Sequence, residues 1–331
     1  MSKSLVRWMM LFLQNMPFIL LITVVLIFSI LSPRFFTYKN FENVLTQASY
    51  IGIVGVGMTF VLLTGGVDLS VGSTMYLSAT ITGTYLLGNG LPLWLAVPAT
   101  LVVGMLVGSV NAFAVTYLRI VPFIVTLGTL ALMRGLALSI TQSADVTFPA
   151  SITDLGSHRL FGFVPLPIAI FAVVVLVAWL ILTRTTFGRQ IYAVGNDSEG
   201  AKKAGINVGF ILASVYVICG ACAALGGLVS VAQFGVANAG FGQHEEFNAI
   251  AVAVLGGTSL FGGRGSVFPG TVVGTILVQL VTSGLIFTRV DIYLQPLVYA
   301  AIIFLAVLLD SLRTIQLERL ERRTIRVEKA A

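Results

Sequence analysis

Apolar residues fall along this chain in long blocks, separated by short stretches of glycine, proline and charge. The blocks run Pro17–Leu31, Ser49–Thr64, Val71–Leu87, Leu93–Tyr117, Val121–Ile140, Phe163–Leu182, Phe210–Ala232, Phe247–Leu260, Val267–Ile286 and Tyr293–Leu309. A helix crosses a bilayer with about 20 apolar residues, so each block is a candidate span. The second and eighth are short, and each carries a glycine pair at or near its end, Gly65-Gly66 and Gly256-Gly257. Lipid satisfies no open backbone group, and no alternating barrel pattern occurs, so the spans are expected to be helices. The pattern predicts an all-α polytopic membrane protein with about ten transmembrane helices.

Sidedness follows from Lys and Arg in the short loops. With the N-terminus in the cytoplasm, 14 basic residues fall inside, 4 fall outside, and Arg134 lies within a span. That bias requires an even number of spans and places both termini in the cytoplasm. The expected organisation is a cytoplasmic N-terminus over residues 1–16, a transmembrane domain over 17–309 and a basic cytoplasmic tail over 310–331. Lys3 and Arg7 before the first block resemble a signal-peptide start, but no small-residue cleavage site follows, so the block is read as an uncleaved helix. Three long loops are expected. Thr141–Gly162 and Gln233–Glu246 are external, and 184–209 is internal.

Composition narrows the functions. With 57% hydrophobic and 10% charged residues, a water-soluble globule cannot be covered with polar surface. The formal charge of +6 reflects where a membrane protein keeps its Lys and Arg, not binding to nucleic acid. Cys219-Gly-Ala-Cys222 is a small-residue packing run, since only two histidines are present to complete a zinc site. No Gly-Lys pair exists, so the chain lacks a phosphate-cradling loop of the G-x-x-x-x-G-K-[ST] kind, and no zinc-protease or serine-hydrolase motif occurs. The chain is expected to be neither an enzyme nor the holder of a cofactor, and any ATP must be bound by another chain.

Inside 184–209, Asn196 with Glu199 three residues later resembles a capping box, and Gly205 suits a helix C-terminus. The short helix between them needs something to dock against. Ala201, Ala204 and Ile206 offer it a small apolar face, and Lys202 and Lys203 a charged one. Asp68 follows a glycine pair at a helix break. It could cap the helix from Val71 or, with Thr64, Ser70 and Ser73, line a path for a hydroxyl-bearing solute. Arg134 sits roughly 21 Å from the inner face and is expected to anchor structure. Gly65-Gly66 to Gly72-Ser73 looks weakly like Gly256-Gly257 to Gly265-Ser266, a parallel internal relation.

Val61-Leu62-Leu63-Thr64-Gly65-Gly66-Val67-Asp68-Leu69-Ser70-Val71-Gly72-Ser73 resembles the signature of the membrane subunits of bacterial ATP-binding-cassette sugar importers, relatives of the branched-chain amino-acid permeases. Pro122–Thr129 through Arg134-Gly135, Phe187-Gly188-Arg189 through Gly205-Ile206, and Ala249–Gly274 match as well. The resemblance implies a permease translocating a pentose or hexose across the bacterial inner membrane by alternating access. It implies two ATPase subunits inside, a sugar-binding protein outside and a second permease copy or related permease, in contact with membrane lipid. It also implies that Asp197, Ser198, Glu199, Gly200, Ala201, Lys202, Lys203, Ala204, Gly205 and Ile206 form the helix that seats in the ATPase. Asp145, Asp154, Glu245 and Glu246 in the external loops could meet basic groups of the binding protein, and the tail, with net charge +3 over Ser311–Ala331, could lie on the anionic inner leaflet. The rival is an ion-driven secondary transporter, which needs ionisable relays in several spans, where only Asp68 and Arg134 qualify.

Overall fold

The computed structural model describes residues 15–291, 293–295, 297, 298, 300, 301, 304 and 308. The tail 310–331 and nearly all of the N-terminal segment 1–16 lie outside these residues, and the tenth block, Tyr293–Leu309, is described only at scattered positions. The described chain is mostly helix: α1 Met16–Leu31, α2 Tyr38–Leu63, α3 Val71–Ile81, α4 Leu93–Thr116, α5 Pro122–Thr141, α6 Ala150–Ser157, α7 Leu166–Arg184, α8 Thr186–Asn196, α9 Ser198–Lys203, α10 Val208–Phe234, α11 Glu245–Leu255 and α12 Val272–Phe287. π-helical turns Thr82–Leu87 and Val267–Thr271 extend α3 and precede α12. Two short antiparallel pairs are added, β1 Val146–Thr147 with β4 Val236–Ala237, and β2 Arg159–Leu160 with β3 Val164–Pro165. The first pair joins the two segments expected outside the membrane, whereas in the second β3 falls at the start of the block Phe163–Leu182 that was expected to span it.

Among the described residues, six stretches are long and apolar enough to cross a membrane: α2, α4, α5, α7, α10 and Val267–Phe287, with α1 a shorter apolar helix. The ten blocks therefore do not correspond to ten equal spans. α3 has 11 residues before its π-helical continuation, and α11 has 11 residues in all. Each is about 16 Å long, half a hydrocarbon core. Hydropathy counts apolar residues and is blind to where a helix starts in depth. In contrast, α2 begins at Tyr38 rather than Ser49, because the Thr37 side chain caps it by accepting from the Asn40 N–H at 3.3 Å.

α2 is the central post. Every residue from Ile51 to Leu63 is buried, packed by α10, α11, α12 and α7. Helices approach closely where they carry glycine, because lipid offers no hydrophobic gain from bringing them together and dispersion contacts must do it. Gly57 faces the backbone of Cys219 and the side chain of Cys222, so the cysteine pair serves packing and both thiols are free. Gly104 of α4 and Gly220 of α10 meet backbone to backbone, and a Cβ on either would overlap the carbonyl oxygen of the other. Leu106, Val110, Leu132, Leu136, Val173 and Leu176 are exposed on α4, α5 and α7, the surface that lipid would cover.

The α4–α10 crossing gives a direct test. Gly220→Val places methyl groups against the backbone of α4 and is expected to cost about 2 kcal/mol or more. Gly128→Ala, whose added methyl meets nothing within 4 Å, is expected to be neutral. Thermal unfolding of both variants in detergent compares them, and equal midpoints would refute the close crossing.

Candidate translocation and coupling sites

The internal segment 184–209, expected as a loop around one short helix, folds as two helices. Thr185 caps α8, its hydroxyl accepting from the Gly188 N–H at 3.1 Å. α8 then runs beneath the joint where α2 and α11 end. Gly195 packs against the Leu63 carbonyl and the Gly263 N–H, and that N–H donates to Leu63 O at 2.9 Å. Tyr192 donates to Gly265 O at 3.0 Å, and burial raises the pKa of its hydroxyl, which stays a neutral donor.

The α2 and α11 ends close alike. Gly66 N–H reaches Val61 O and Gly65 N–H reaches Leu62 O; Thr258 N–H reaches Ala253 O and Gly257 N–H reaches Val254 O. Both are Schellman closures on a left-handed glycine, Gly65 at φ +77° and Gly257 at φ +89°. Both stretches read as alike therefore close a helix, but the closures equate Gly65 with Gly257, one residue off the pairing of Gly65-Gly66 with Gly256-Gly257.

The short helix α9 is capped by Asp197, whose Oδ1 accepts from the Gly200 N–H at 3.0 Å. The expected cap, Asn196, is instead the last residue of α8. Asp197 takes the extended conformation (φ −156°, ψ 98°) that a cap requires. Gly205, at φ +83°, closes the far end as expected, with Ile206 N–H on Ala201 O. Ala201 turns into the chain's own core with Ile206 packed against it, so the expected apolar face does not form. Asp197, Ser198, Glu199, Lys202, Lys203, Ala204 and Gly205 are exposed, and Gly200 is half-buried.

Asp68, Ser70 and Ser73 lie in the unwound stretch between α2 and α3 and at the start of α3, all buried. Asp68 Oδ1 accepts from the Ser70 N–H at 2.9 Å, the Ser70 hydroxyl at 2.6 Å and Asn111 Nδ2 at 3.3 Å, and the Cys219 thiol also donates to the carboxylate. Ser73 and Thr74 hydroxyls return to Ser70 O. Asn111 lies five residues before the C-terminal end of α4, so this knot sits about 8 Å along the helix from that end. Asp68 thus braces the turn two residues ahead rather than capping the helix at Val71. Thr64 bonds its own helix at Val61 O. None of these four residues lines either of the two polar clefts along α2.

Arg134 is twelve residues into α5, roughly 18 Å deep. Its Nη1 donates to Ala239 O at 3.2 Å and its Nη2 to Phe241 O at 3.1 Å, while its guanidinium lies over the Tyr76 ring at 5.3 Å. The segment after β4, read as an external loop, therefore dips into the membrane and is held there. Its depth is fixed a second time: Tyr50 donates to Glu245 Oε1 at 3.1 Å. Tyr50 is about 18 Å along an α2 that is about 39 Å long. Glu245 and Glu246 accordingly sit at mid-depth, with the buried Glu246 close enough to Arg134 for electrostatic attraction. They are not free to meet a soluble protein, whereas Asp145 and Asp154 are exposed. The sequence signals for this dip are the shortness of the Phe247–Leu260 block and the glycines of Gly235–Gly242.

Removing the Asp68 carboxylate leaves the Ser70 N–H and hydroxyl without their shared acceptor in the interior, while Asn111 Nδ2 keeps Ser70 Oγ at 2.9 Å. Asp68→Ala is expected to cost about 2–4 kcal/mol, and Asp68→Asn, which keeps one acceptor oxygen, less than half of that. Detergent thermal-unfolding midpoints of the two variants test this ordering; equal losses would show that the carboxylate is not the shared acceptor.

The family described as branched-chain amino acid transport system / permease component matches residues 40–309. The chain is 39% identical over 309 residues to the ribose import permease protein of Escherichia coli, covering 92% of this chain and 94% of that one. It is 36% identical over 297 residues to the D-allose transport system permease protein of Escherichia coli, covering 89% and 90%. It is 35% identical over 322 residues to the fructose import permease protein of Rhizobium meliloti, covering 93% and 89%. No solved structure matches. With helices able to span a membrane, broken helices packed at depth and matches of this length, the chain belongs to the family of branched-chain amino acid transport system permease components.

Proposed function

We propose that this chain is the membrane-spanning subunit of an ATP-driven importer that carries a monosaccharide, a pentose or hexose, into a bacterial cell by alternating access, and that it performs no covalent chemistry itself. The observation that carries this reading is the exposed stub Asp197–Gly205, held through α8 against the joint of α2 and α11. A surface that touches the ends of two central helices can convert a cytosolic push into a change in their packing. The relatives named for ribose, allose and fructose supply the substrate class.

In this reading about ten segments enter the membrane, two of them as half-helices, with both termini in the cytoplasm of an inner-membrane protein. Two copies, or this chain and a related permease, bind two ATPase subunits through Asp197, Ser198, Glu199, Gly200, Lys202, Lys203, Ala204 and Gly205. Ala201 and Ile206 fasten that stub to its own bundle. The external sugar-binding protein meets Asp145 and Asp154. Asp68, Ser70 and Ser73, bonded to one another near the inner face, form with Thr64 the cytoplasmic barrier to the path in this conformation, and all four line it when the inner side opens. The ion-driven alternative gains nothing from the geometry, because Asp68 and Arg134 are both engaged in holding backbone.

Ala204→Asp and Gly205→Glu are expected to abolish ATPase co-purification and to lower uptake at least a hundredfold, with membrane insertion unchanged. Gly205→Ala strains the same left-handed position without adding charge or bulk at the surface, and it is expected to retain at least a third of the uptake. Radiolabelled ribose, allose and fructose uptake in cells lacking their own importers, with affinity-tag pull-down of the ATPase, reads both effects. Normal assembly and uptake in the charged variants would overturn the docking assignment.

A further inference from the structure

Along the outer half of α2, Asn43, Thr46, Gln47 and Tyr50 recur at spacings of three and four, so they share one face of the helix. Two clefts open on that face. The outer one, about 410 Å³, is lined by Asn43, Thr46, Gln47, Thr153, Ser157 and Gln233 among others. The inner one, about 450 Å³, is lined by Gln47, Tyr50, His244, Asn248, Gln279 and Thr282 among others. Gln47 and Phe234 line both, which makes the two clefts neighbours along a single polar track from the outer surface to mid-depth. Both volumes fall within the range of roughly 300–1,000 Å³ typical of small-molecule sites.

The hydrogen-bonding capacity of this track is left open. Gln279 Nε2 donates to Gln47 Oε1 at 2.9 Å, bridging the track where the clefts meet. Among the described residues, that bond leaves the Gln47 amide nitrogen and the Gln279 amide oxygen without a partner. Gln233 donates to Thr46 O at 2.9 Å, yet its Oε1 is buried with none. Acyl chains cannot satisfy such groups, and leaving them dry is costly. Among the described residues, no Lys, Arg, Asp or Glu lines either cleft. Beside the inner cleft, Glu245 is engaged on both oxygens, by Tyr50 and by Asn248 at 3.0 Å. An amide both donates and accepts, as does each hydroxyl of a sugar, whereas an ion would find no counter-charge here.

From this geometry we infer that the polar face of α2 is the wall along which the sugar travels, that the Gln47–Gln279 pair is the neck it must part, and that Tyr50, Asn248 and His244 form the inner subsite. The inference rests on the importer reading above and adds the residues that touch the solute. A bridge of one neutral hydrogen bond suits a neck: it holds the track shut without solute, and sugar hydroxyls replace it at little net cost.

Two measurements on the complete importer test this. In membranes, Gln47→Cys and Asn248→Cys are expected to react with a membrane-impermeant, charged methanethiosulfonate reagent, while Leu106→Cys on the exposed face of α4 stays at the background of the unmodified chain. In proteoliposomes with ATPase and binding protein, Gln47→Leu and Gln279→Leu are expected to reduce uptake of radiolabelled ribose, allose or fructose at least tenfold. ATP hydrolysis and ATPase co-purification persist in these variants, and Gln47→Asn restores part of the uptake. An unreactive Gln47→Cys, or uptake by Gln47→Leu within twofold of the unmodified importer, overturns the inference. If the unmodified importer moves none of the three sugars, the monosaccharide reading fails by itself. Labelling then still decides whether the track is wet, and a dry track overturns the wall assignment whatever the solute.

Discussion

The architecture depends on one constraint. A chain surrounded by hydrocarbon must satisfy every open backbone group from within. Two helices of this protein nevertheless stop short or start midway. The breaks are tolerated because each is closed by a specific partner. Schellman bonds at Gly65 and Gly257 satisfy the carbonyls of α2 and α11. Asp68 collects the amide and hydroxyl of Ser70. The two guanidinium nitrogens of Arg134 take up carbonyls of the dipping segment before α11. The ionisable groups at depth therefore serve the backbone first. This separates them from the residues suited to a neutral solute, which are amides and hydroxyls.

That division explains where function concentrates. The charged groups that hold the fold, Asp68 and Arg134, are engaged on the α3, α4 and α5 side. Groups with spare hydrogen-bonding capacity lie on the opposite side of α2, beside α10, α11 and α12. α2 stands between them, with its outer half polar on one face and its inner half buried all round. Its lower end rests on α8. The same helix thus connects the wall proposed for the solute with the surface proposed for the ATPase.

Much of this was legible in the chain. Long apolar blocks dictate membrane helices whatever the tertiary structure, and the glycine pairs marked the two helix ends that close alike. Gly205 as a helix stop follows from local geometry alone. Depth was not legible. Glu245 and Glu246 read as external because hydropathy is one-dimensional, and only their contacts with Tyr50, Arg134 and α3 draw them inward. The partner of Asp68, Asn111, is 43 residues away and carries no local signal. Asn196 and Asp197 are both competent caps. The choice between them is made by which one the end of α8 leaves extended. The polar stripe Asn43, Thr46, Gln47 and Tyr50 was hidden because it straddles the edge of a block judged to begin at Ser49.

Gly195 touches the terminus of α2 and the segment following α11 in a single contact, and Leu63 and Gly263 are themselves bonded. In the importer proposed above, a displacement delivered by α8 would therefore reach both rods at this one point.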